Sequence, residues 1–420
     1  MTTPDIHRTL DTLWRMEAPR LIARLTRMLG DVGQAEEMAQ DVLVTALERW
    51  PGEGVPDNPA AWLMTAARNR AIDRLRQRQL HRNKQAQLAL EQDGDAMPGP
   101  DSDDRLQDDI GDDLLRLVFI ACHPVLPKDA RVALTLRLLG GLSTEEIARA
   151  FLQPEPTIAQ RIVRAKRSLA QKQVPFEVPR KDEWEPRLHS VLEVVYLIFN
   201  EGYSATSGDD WMRPALCEEA LRLGRVLAGL MPQQAPVYGL LALMELQASR
   251  ARARVKPNGE PVLLLEQDRA RWDRLQIQRG LAALQRATQL GGGQGAYALQ
   301  AAIAACHARA LRAQDTDWAR IAALYGQLAA VMPSPVVELN RAVALGKAAG
   351  PAVALALVES LRQEPALRDY APLPAVLGDL LEQLGRYGEA RTAFERAAAL
   401  THNARERTHL LARAAACAAH

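Results

Sequence analysis

The 420-residue sequence has few aromatic residues and few cysteines, and it lacks any long apolar run. Its four cysteines, Cys122, Cys217, Cys306 and Cys417, lie far apart and form no Cys-x-x-Cys pair, which argues against a structural zinc site or a disulfide framework. No stretch approaches the roughly 18–20 apolar residues of a membrane span, and the N-terminus lacks the apolar region of a signal peptide. We therefore expect a cytoplasmic protein with no metal, no cofactor and no membrane contact.

The sequence also lacks a large net charge, because 52 basic residues face 51 acidic ones. A nucleic-acid-binding surface would therefore require the two signs to be segregated along the chain. Residues 91–113 are strongly acidic and contain one basic residue, Arg105, whereas residues 161–181 are biased towards Lys and Arg. The Gly/Pro-containing acidic stretch 86–112 is typical of a flexible linker. The richness in Ala, Leu, Arg and Gln predicts helices in the rest of the chain.

Residues 141–171 have the pattern of a helix-turn-helix. Ser143 and Glu146 have the spacing of a capping box at a helix start. Pro154 and Pro156 end that helix, because proline interrupts a helix interior. A basic amphipathic helix follows from Thr157, with Ile158, Ile162, Val163 and Leu169 predicted inside and Arg161, Arg164, Lys166 and Arg167 outside. Such a helix fits a DNA major groove; the alternative is a helical hairpin whose charged face is merely solvated.

The first 85 residues predict a second helical block. After an amphipathic helix over 18–29, residues 34–50 carry a polar stripe formed by Glu36, Glu37, Gln40 and Asp41. The stripe is suited to a basic partner, or it is an ordinary solvated face. Residues 51–59 predict a loop and residues 60–76 another helix, with Trp62, Leu63, Ala66, Ile72 and Leu75 packed inward and Arg68, Asn69, Arg70, Arg74, Arg76 and Arg78 on the polar side.

In this order, the two blocks resemble an extracytoplasmic-function (ECF) sigma factor, an RNA polymerase subunit of the sigma-70 family. The resemblance implies a region 2-like domain over 5–85 and a region 4-like domain over 113–174, joined by the acidic linker. It implies core polymerase binding through Glu37, Gln40 and Asp41. For the −10 element it implies contacts from Trp62, Arg68, Asn69, Arg70, Arg74 and Arg76. For the −35 element it implies contacts from Thr157, Ala159, Gln160, Arg161, Val163, Arg164 and Lys166. Relatives often have a longer polar side chain at the position of Ala159.

More than half of the chain follows these two blocks. The spacing of Leu377-Gly378, Leu384-Gly385-Arg386-Tyr387, Phe394 and Ala397 resembles a tetratricopeptide repeat, in which paired helices stack into a solenoid. We therefore expect tetratricopeptide-like helices over 291–420 and a further helical domain over 183–290. The alternative is an irregular helical domain without a true repeat.

Two segments of the extension, 196–204 and 263–273, do not fit the repeat pattern, and both place charges beside aromatic residues. Asn200, Glu201, Asp268 and Arg269 form a candidate site, which is either a ligand site or a polar network that fixes helix packing. An enzymatic function would need an acid/base pair, and Glu201 with Asp268 is the one candidate pair. The two segments resemble an ECF subgroup with a long helical C-terminal extension.

The sequence thus predicts an all-α sigma factor that catalyses no bond chemistry. The implied partners are promoter DNA and core RNA polymerase, contacted at its β′ clamp and β flap. The extension is expected to regulate the sigma factor in cis or to bind a protein partner. The alternative is a DNA-binding regulator fused to an enzymatic or small-molecule-sensing helical domain; a third possibility is a tetratricopeptide scaffold for which DNA contact is secondary.

Overall fold

A computed structural model describes residues 3–89, 106–151, 153–204, 212–256, 262–401 and 403–418. These residues form 18 α-helices with short 3₁₀ turns between some of them, and no strand occurs among them, which confirms the all-α prediction. The chain divides into two compact units, residues 1–194 and residues 195–420. No helix in the described part of the chain is long and apolar enough to cross a membrane.

Unit 1 contains seven complete helices and the start of an eighth. They are α1 (Thr3–Leu29), α2 (Val32–Glu53), α3 (Pro59–Ala89), α4 (Leu106–Ala121), α5 (Lys128–Leu138), α6 (Thr144–Phe151), α7 (Glu155–Gln171) and α8 (Trp184–Tyr203). Helix α1 packs against α2, α3 and α4. Asp31 begins α2 by accepting hydrogen bonds from the backbone N–H groups of Gly33 and Gln34, at 2.7 and 3.0 Å. This cap satisfies N–H groups that have no partner within the helix.

Two helix boundaries differ from the sequence expectation. Helix α2 continues through Pro51 to Glu53, so the predicted loop over 51–59 begins later. Gly54 ends the helix with φ +88°, which glycine adopts without steric cost, and its N–H bonds to the carbonyl of Trp50. Helix α3 extends to Ala89 and α4 begins at Leu106, so both margins of the predicted 86–112 linker are helical; residues 90–105 lie outside the described residues.

Unit 2 begins within α8 and contains ten further helices. They are α9 (Pro214–Leu230), α10 (Ala235–Ala248), α11 (Arg274–Gln289), α12 (Ala296–Arg309), α13 (Trp318–Val331), α14 (Pro335–Ala349), α15 (Pro351–Leu361), α16 (Pro372–Gln383), α17 (Tyr387–Leu400) and α18 (Ala404–Cys417). From α9 onward, most helices pack chiefly on their neighbours in sequence. Separate apolar clusters follow one another along the chain, as expected for a stacked helical repeat.

The tetratricopeptide-like spacing near the C-terminus produces close packing of α16 on α17. A Cβ atom added to Gly378 would lie 2.7 Å from the ring of Phe394, which is fully buried. Ala390 and Ala397 belong to the same apolar cluster as Phe394. The glycine and the two alanines therefore have a packing function, since they allow the helices to approach around the phenylalanine ring.

The first half of α8 packs on the helices that precede it. The rings of Trp184 and Phe119 lie 5.3 Å apart, and Arg187 donates to the Phe119 carbonyl oxygen at 3.0 Å. Ser190 donates to the Cys122 carbonyl oxygen at 2.6 Å. The predicted extension domain over 183–290 therefore starts with residues that complete the core of unit 1.

Candidate nucleic-acid interface

Helices α6 and α7 form the helix-turn-helix expected from the sequence. The capping box is present, since Ser143 N–H donates to Glu146 Oε2 at 2.8 Å and Glu146 N–H donates to Ser143 Oγ at 3.0 Å. Helix α7 starts at Glu155, two residues earlier than predicted, because Pro156 lies in its first turn, where proline replaces an N–H that would have no helical partner.

The inner stripe of α7 differs from the prediction at one residue. Ile158, Ile162, Ala165 and Leu169 are buried at helical spacing, but Val163 is 52% exposed. Val163 follows Ile162 by one position and is rotated about 100° away from the stripe. Its assignment to the inner side was therefore wrong, although an outward valine suits its other predicted role at a base edge.

The cationic residues of α7 fall into two groups. Arg164 and Arg167 are exposed, as are Thr157 and Gln160, while Ala159 is half-buried. Arg161 instead donates to Gln153 Oε1 at 3.0 Å, and Lys166 forms an ion pair with Glu36 of α2. The predicted −35 residues therefore share one helix but are not equally available to DNA.

The predicted −10 residues lie on α3. Arg68, Asn69, Arg74 and Arg76 are exposed. Arg70 is half-buried and donates to Thr45 Oγ1 of α2 at 2.8 Å. The half-buried Trp62 meets the fully buried Trp50 edge to face, with ring centroids 5.5 Å apart.

Leu75 was predicted to pack inward on α3, and it is instead 38% exposed. The buried stripe of the helix consists of Leu63, Ala67 and Ala71. Leu75 lies one helical turn after Ala71, the last buried residue of the stripe. It continues the helical spacing, but it is not covered by a neighbouring helix as the buried residues are.

The polar stripe of α2 is smaller than predicted. Glu37 and Asp41 are exposed and Gln40 is half-buried, but Glu36 is only 2% exposed. Gln40 Nε2 donates to Glu36 Oε1 at 2.6 Å. Glu36 therefore does not belong to the exposed stripe: its neighbours Ala35, Met38 and Ala39 lie on the buried face of α2, and it shares that burial.

The carboxylate of Glu36 binds the helix-turn-helix half of unit 1. Arg137 Nε of α5 donates to Glu36 Oε1 at 2.6 Å, and Lys166 of α7 pairs with Glu36 Oε2. Arg137 also donates to the carbonyl oxygen of Leu142, before α6, at 3.0 Å. A single buried carboxylate thus joins α2 to both α5 and α7.

A second buried carboxylate, on α4, connects that helix to α1. Asp113 of α4 lies 3.6 Å from Arg24 and from Arg27 of α1, and it accepts from Arg116 at 2.9 Å. Burial raises the pKa of Asp113, although the three arginines oppose that rise. Arg24, Arg27 and Arg137 were not predicted, because nothing in the spacing of an arginine identifies a partner far along the chain.

Three of the four candidate residues of the extension have partners of their own. Glu201 pairs with Arg213. Asp268 caps a 3₁₀ turn by accepting from Ala270 N–H at 2.9 Å, and Asn200 is exposed. Arg269 is 4% exposed and donates to the carbonyl oxygens of His307 and Ala310, at 2.9 and 2.8 Å. The carboxylates of Glu201 and Asp268 therefore have different partners, and their contacts do not support an acid/base pair.

Comparison with protein-family models gives three matches along the chain. Sigma-70 region 2 matches residues 13–81, sigma-70 region 4 matches residues 116–169, and a family of unknown function, DUF6596, matches residues 187–288. The ECF RNA polymerase sigma factor SigK of Mycobacterium bovis is 30% identical over 154 residues, which cover 36% of this chain and 78% of SigK. The chain belongs to the ECF sigma factors. The first two matches lie in unit 1, which also contains the start of the third.

Other relatives of this ECF sigma factor differ in how much of it they cover. The probable ECF sigma factor SigI of Mycobacterium tuberculosis is 26% identical over 46% of this chain and 62% of SigI. An uncharacterized protein of Rhizobium meliloti is 44% identical over 93% of this chain and 92% of its own length, so its similarity includes the extension. The crystal structure of yeast Tom70 aligns with 99% of this chain and 86% of that chain at 12% identity, with a TM-score of 0.32, a similarity too low to carry an argument.

Proposed function

We propose that this sigma factor binds core RNA polymerase, directs transcription initiation at promoters with −35 and −10 elements, and is regulated in cis by its C-terminal extension. The observation that carries the proposal is that unit 1 has two exposed polar and cationic helix faces. One lies on α7, with Arg164 and Arg167, and the other on α3, with Arg68, Asn69 and Arg74. Both faces belong to helices within the sigma-70 family matches.

For the −35 element, the proposed contacts come from the outer side of α7. Arg164 is the proposed base-reading residue, because an exposed guanidinium can donate two parallel hydrogen bonds to guanine in the major groove. Gln160 and Val163 are exposed on the same helix and complete the proposed base-reading side. Thr157 lies in the first turn, where its hydroxyl and nearby N–H groups suit a phosphate.

For the −10 element, the proposed contacts come from α3. The Asn69 amide is exposed and both donates and accepts, which suits the edge of an unstacked base. Arg68, Arg74 and Arg76 suit the surrounding phosphates. Arg70 reaches the DNA in this proposal only if its hydrogen bond to Thr45 is broken.

For core polymerase, the proposed surface is the exposed part of α2. Glu37 and Asp41 are one helical turn apart and carry like charges outward, so they suit a basic surface on the β′ clamp. The proposed contact of the region 4-like domain is with the β flap. Glu36 is excluded from both roles because it is buried.

The ion pairs of Glu36 also bear on DNA binding. Lys166 is a proposed DNA-contacting residue, but in this arrangement its ammonium group is paired with Glu36. Engagement of a phosphate by Lys166 therefore requires this ion pair to break. We propose that the described arrangement is a closed form, which the extension favours or disfavours.

Two observations support a regulatory role for the extension. Helix α8 contributes its first half to unit 1, where it contacts Phe119, Cys122 and Lys128, and its second half to unit 2. The stacked helices of unit 2 also resemble repeats that present surfaces to protein partners. A change in unit 2 that alters α8 would therefore also alter its contacts with Phe119, Cys122 and Lys128 in the region 4-like part of unit 1.

Run-off transcription with core polymerase tests this proposal. The full chain is compared with a chain that ends after Val194, which keeps the part of α8 that packs in unit 1. Transcription from a −35/−10 promoter by either chain supports the sigma-factor function. A different rate for the two chains supports regulation in cis, and equal rates under all conditions would contradict it. Absence of promoter-dependent transcripts with both chains would contradict the function itself.

A further inference from the structure

Unit 2 contains three arginines that surround two aromatic rings. The guanidinium carbon of Arg254 lies 3.6 Å from the centroid of the Tyr203 ring, and that of Arg250 lies 5.8 Å from the same centroid. Arg250 and Arg269 both lie over the Trp272 ring, at 5.8 and 5.0 Å. Arg250 also donates to the Tyr203 hydroxyl at 2.6 Å. We call these three arginines the arginine cluster.

The arginine cluster carries more positive charge than the described residues around it balance. Among the described residues, none of the three guanidinium groups has a carboxylate within the 4.0 Å of an ion pair; Asp315 acts on Arg269 only from beyond that distance. Arg254 donates to the Tyr203 carbonyl oxygen at the end of α8, and Arg269 donates to the His307 and Ala310 carbonyl oxygens at the end of α12. Each helix end supplies about half a negative charge, so about two positive charges are left unbalanced by the described residues.

Burial and like-charge repulsion both act on the pKa values of this region. Burial lowers the pKa of both Arg254 and Arg269, and Arg250 lowers both further by like-charge repulsion. His307 lies in the same field: burial first, then Arg250 and Arg269, lower its pKa to about 3, so its imidazole is neutral at pH 7. The histidine therefore adds no further charge to the arginine cluster.

Several buried polar atoms of this region also have no hydrogen-bond partner in the part of the chain that the structure describes. They are Arg250 Nε, Arg269 Nε, Trp272 Nε1 and His307 Nδ1. Arg269, Trp272 and His307 are each more than nine-tenths buried, and leaving such groups unpartnered destabilises the fold because their desolvation is not compensated. Unsatisfied donors beside uncompensated charge are what a bound anion would correct.

The location gives a ligand room and access. A cavity of about 590 Å³ lies against Trp272, and Arg252, Lys256 and Arg271 also line it. Its lining contains one carboxylate, Asp273, whose side chain accepts from the Gln276 N–H at the start of α11. Arg250 is only partly buried, whereas Arg254 and Arg269 are buried, so solvent reaches the arginine cluster at Arg250.

We propose that the arginine cluster and the adjoining cavity at Trp272 bind a small metabolite through its phosphate monoester group. A phosphate monoester carries about 1.5–2 negative charges at pH 7, which matches the surplus of the arginine cluster. Its oxygens accept the paired N–H donors of guanidinium groups, and the cavity holds the organic part. This inference is independent of the sigma-factor function, since unit 1 supplies none of these residues.

Thermal unfolding of the full-length protein with two probes tests the site. Inorganic phosphate and glycerol 3-phosphate are titrated at constant ionic strength, with sodium chloride replacing each. We expect a saturable rise in the unfolding midpoint of unit 2 with both, at a lower concentration for glycerol 3-phosphate. Tighter binding of inorganic phosphate than of the ester would overturn the metabolite part of the proposal, and no rise beyond that in chloride would overturn the site.

Two variants test whether phosphate binds at the arginine cluster. Arg250→Gln should weaken phosphate binding at least tenfold, because it removes the partly buried guanidinium shared by Tyr203 and Trp272. Unlike Arg254 and Arg269, Arg250 has no hydrogen bond to a carbonyl oxygen at a helix end among the described residues, so the variant should stay folded. Far-UV circular dichroism checks this. Arg279→Gln is the matched control, since Arg279 is exposed on α11, and it should bind like the wild type. If Arg250→Gln is unfolded, Arg250→Lys replaces it, and a retained tenfold loss would support the site. Equal binding by the folded Arg250 variant and the control would overturn the site.

Discussion

At the scale of single residues, arginine has three physical roles in this sigma factor. Arg164 is exposed on α7 and available to DNA. Arg137 is bound to Glu36 and holds helices together. Arg269 is 4% exposed and fixes the end of α12. The residue type alone does not distinguish the roles, because each depends on which groups the folded chain brings near the guanidinium.

Arg164→Ala should reduce binding to a −35 duplex and relax base choice. A bidentate contact between arginine and guanine contributes about 1–3 kcal/mol of discrimination, so the loss should be large on the preferred sequence and small on its variants. Arg167→Ala is the matched control, since an exposed arginine that touches phosphate alone weakens all sequences evenly. Fluorescence anisotropy with a set of duplexes measures both. An even loss for Arg164→Ala would exclude base reading.

His307 should make the stability of unit 2 depend on pH. Its folded-state pKa of about 3 lies below the unfolded value of 6.5, so below pH 6.5 the unfolded chain binds a proton that the folded chain does not. The histidine therefore lowers the free energy of unfolding as pH falls, by about 2 kcal/mol between pH 7 and pH 5. Urea unfolding in phosphate-free buffer measures this. Between pH 7 and pH 5, the free energy of unfolding of His307→Gln should change by about 2 kcal/mol less than that of the wild type. Parallel pH profiles of the two proteins would contradict the prediction.

Local residue chemistry was predictable where both partners are close in sequence. The Ser143–Glu146 capping box was expected and is present because the two residues are three apart and need only one helix turn. Burial of Glu36 was not predictable, because it depends on Arg137, about a hundred residues further along the chain. Most positions of the proposed DNA contacts came from family resemblance; the structure adds that Lys166 and Arg70 are held by other side chains.

At the scale of helices, Glu36 joins α2 to α7 through its ion pair with Lys166. Glu36→Gln should weaken this contact, since a neutral amide interacts less strongly with Lys166 and Arg137. If the arrangement is a closed form, the variant should bind a −35 duplex about fivefold more tightly or better, a typical size of such coupling. Glu37→Gln, one position away and exposed, is the control. Equal affinity of the two folded variants would contradict the closed form.

Close helix packing at Gly378 gives a second prediction at this scale. Gly378→Ala should lower the free energy of unfolding by about 1–3 kcal/mol, because the added methyl group would lie 2.7 Å from the Phe394 ring. Gly326→Ala is the matched control in α13, where no atom outside the local helix lies within 4 Å of the new Cβ; it should raise stability by up to about 1 kcal/mol. Chemical denaturation distinguishes them, and equal effects would argue against close packing of α16 on α17.

The helix boundaries show which local signals decide an end. Pro51 led to an early predicted stop for α2, but Gly54 ends it, because the left-handed backbone there needs a glycine. For α16 and α17 the repeat spacing was a good guide, since Gly378 and Phe394 meet as tetratricopeptide-like packing requires. Leu75 was misassigned because helical periodicity does not reveal where a helix leaves its supporting neighbours.

At the scale of the whole molecule, the position at which the chain is cut decides whether unit 1 stays intact. A chain ending after Gln173, Val174 or Pro175 lacks α8, so Phe119 loses Trp184 and Cys122 loses Ser190. It should be less stable than a chain ending after Val194 by about 2–5 kcal/mol, the cost of removing large core side chains. Thermal unfolding of the two fragments measures this. Equal midpoints would show that α8 adds nothing to unit 1.

The overall class of the molecule was predictable, and its internal connections were not. Composition and periodicity predicted an all-α chain, and two motifs in order identified a sigma factor, since both signals are local. The packing of α8 on Phe119 and Cys122, and the gathering of Arg250, Arg254 and Arg269 around Tyr203 and Trp272, join residues far apart in sequence. No pattern along the chain indicates such contacts.

The place of α8 has a consequence for how such a gene can be rearranged. The sigma-70 region 4 match ends at residue 169 and the next family match begins at residue 187. The sequence alone therefore suggests that two such genes could recombine between these residues without disrupting a domain. Within the fold, an exchange at that point would pair Phe119, Cys122 and Lys128 with a foreign α8. A recombinant gene should keep its function only if the crossover carries residues 184–193 along with the sigma half, or if both parents have matching residues there.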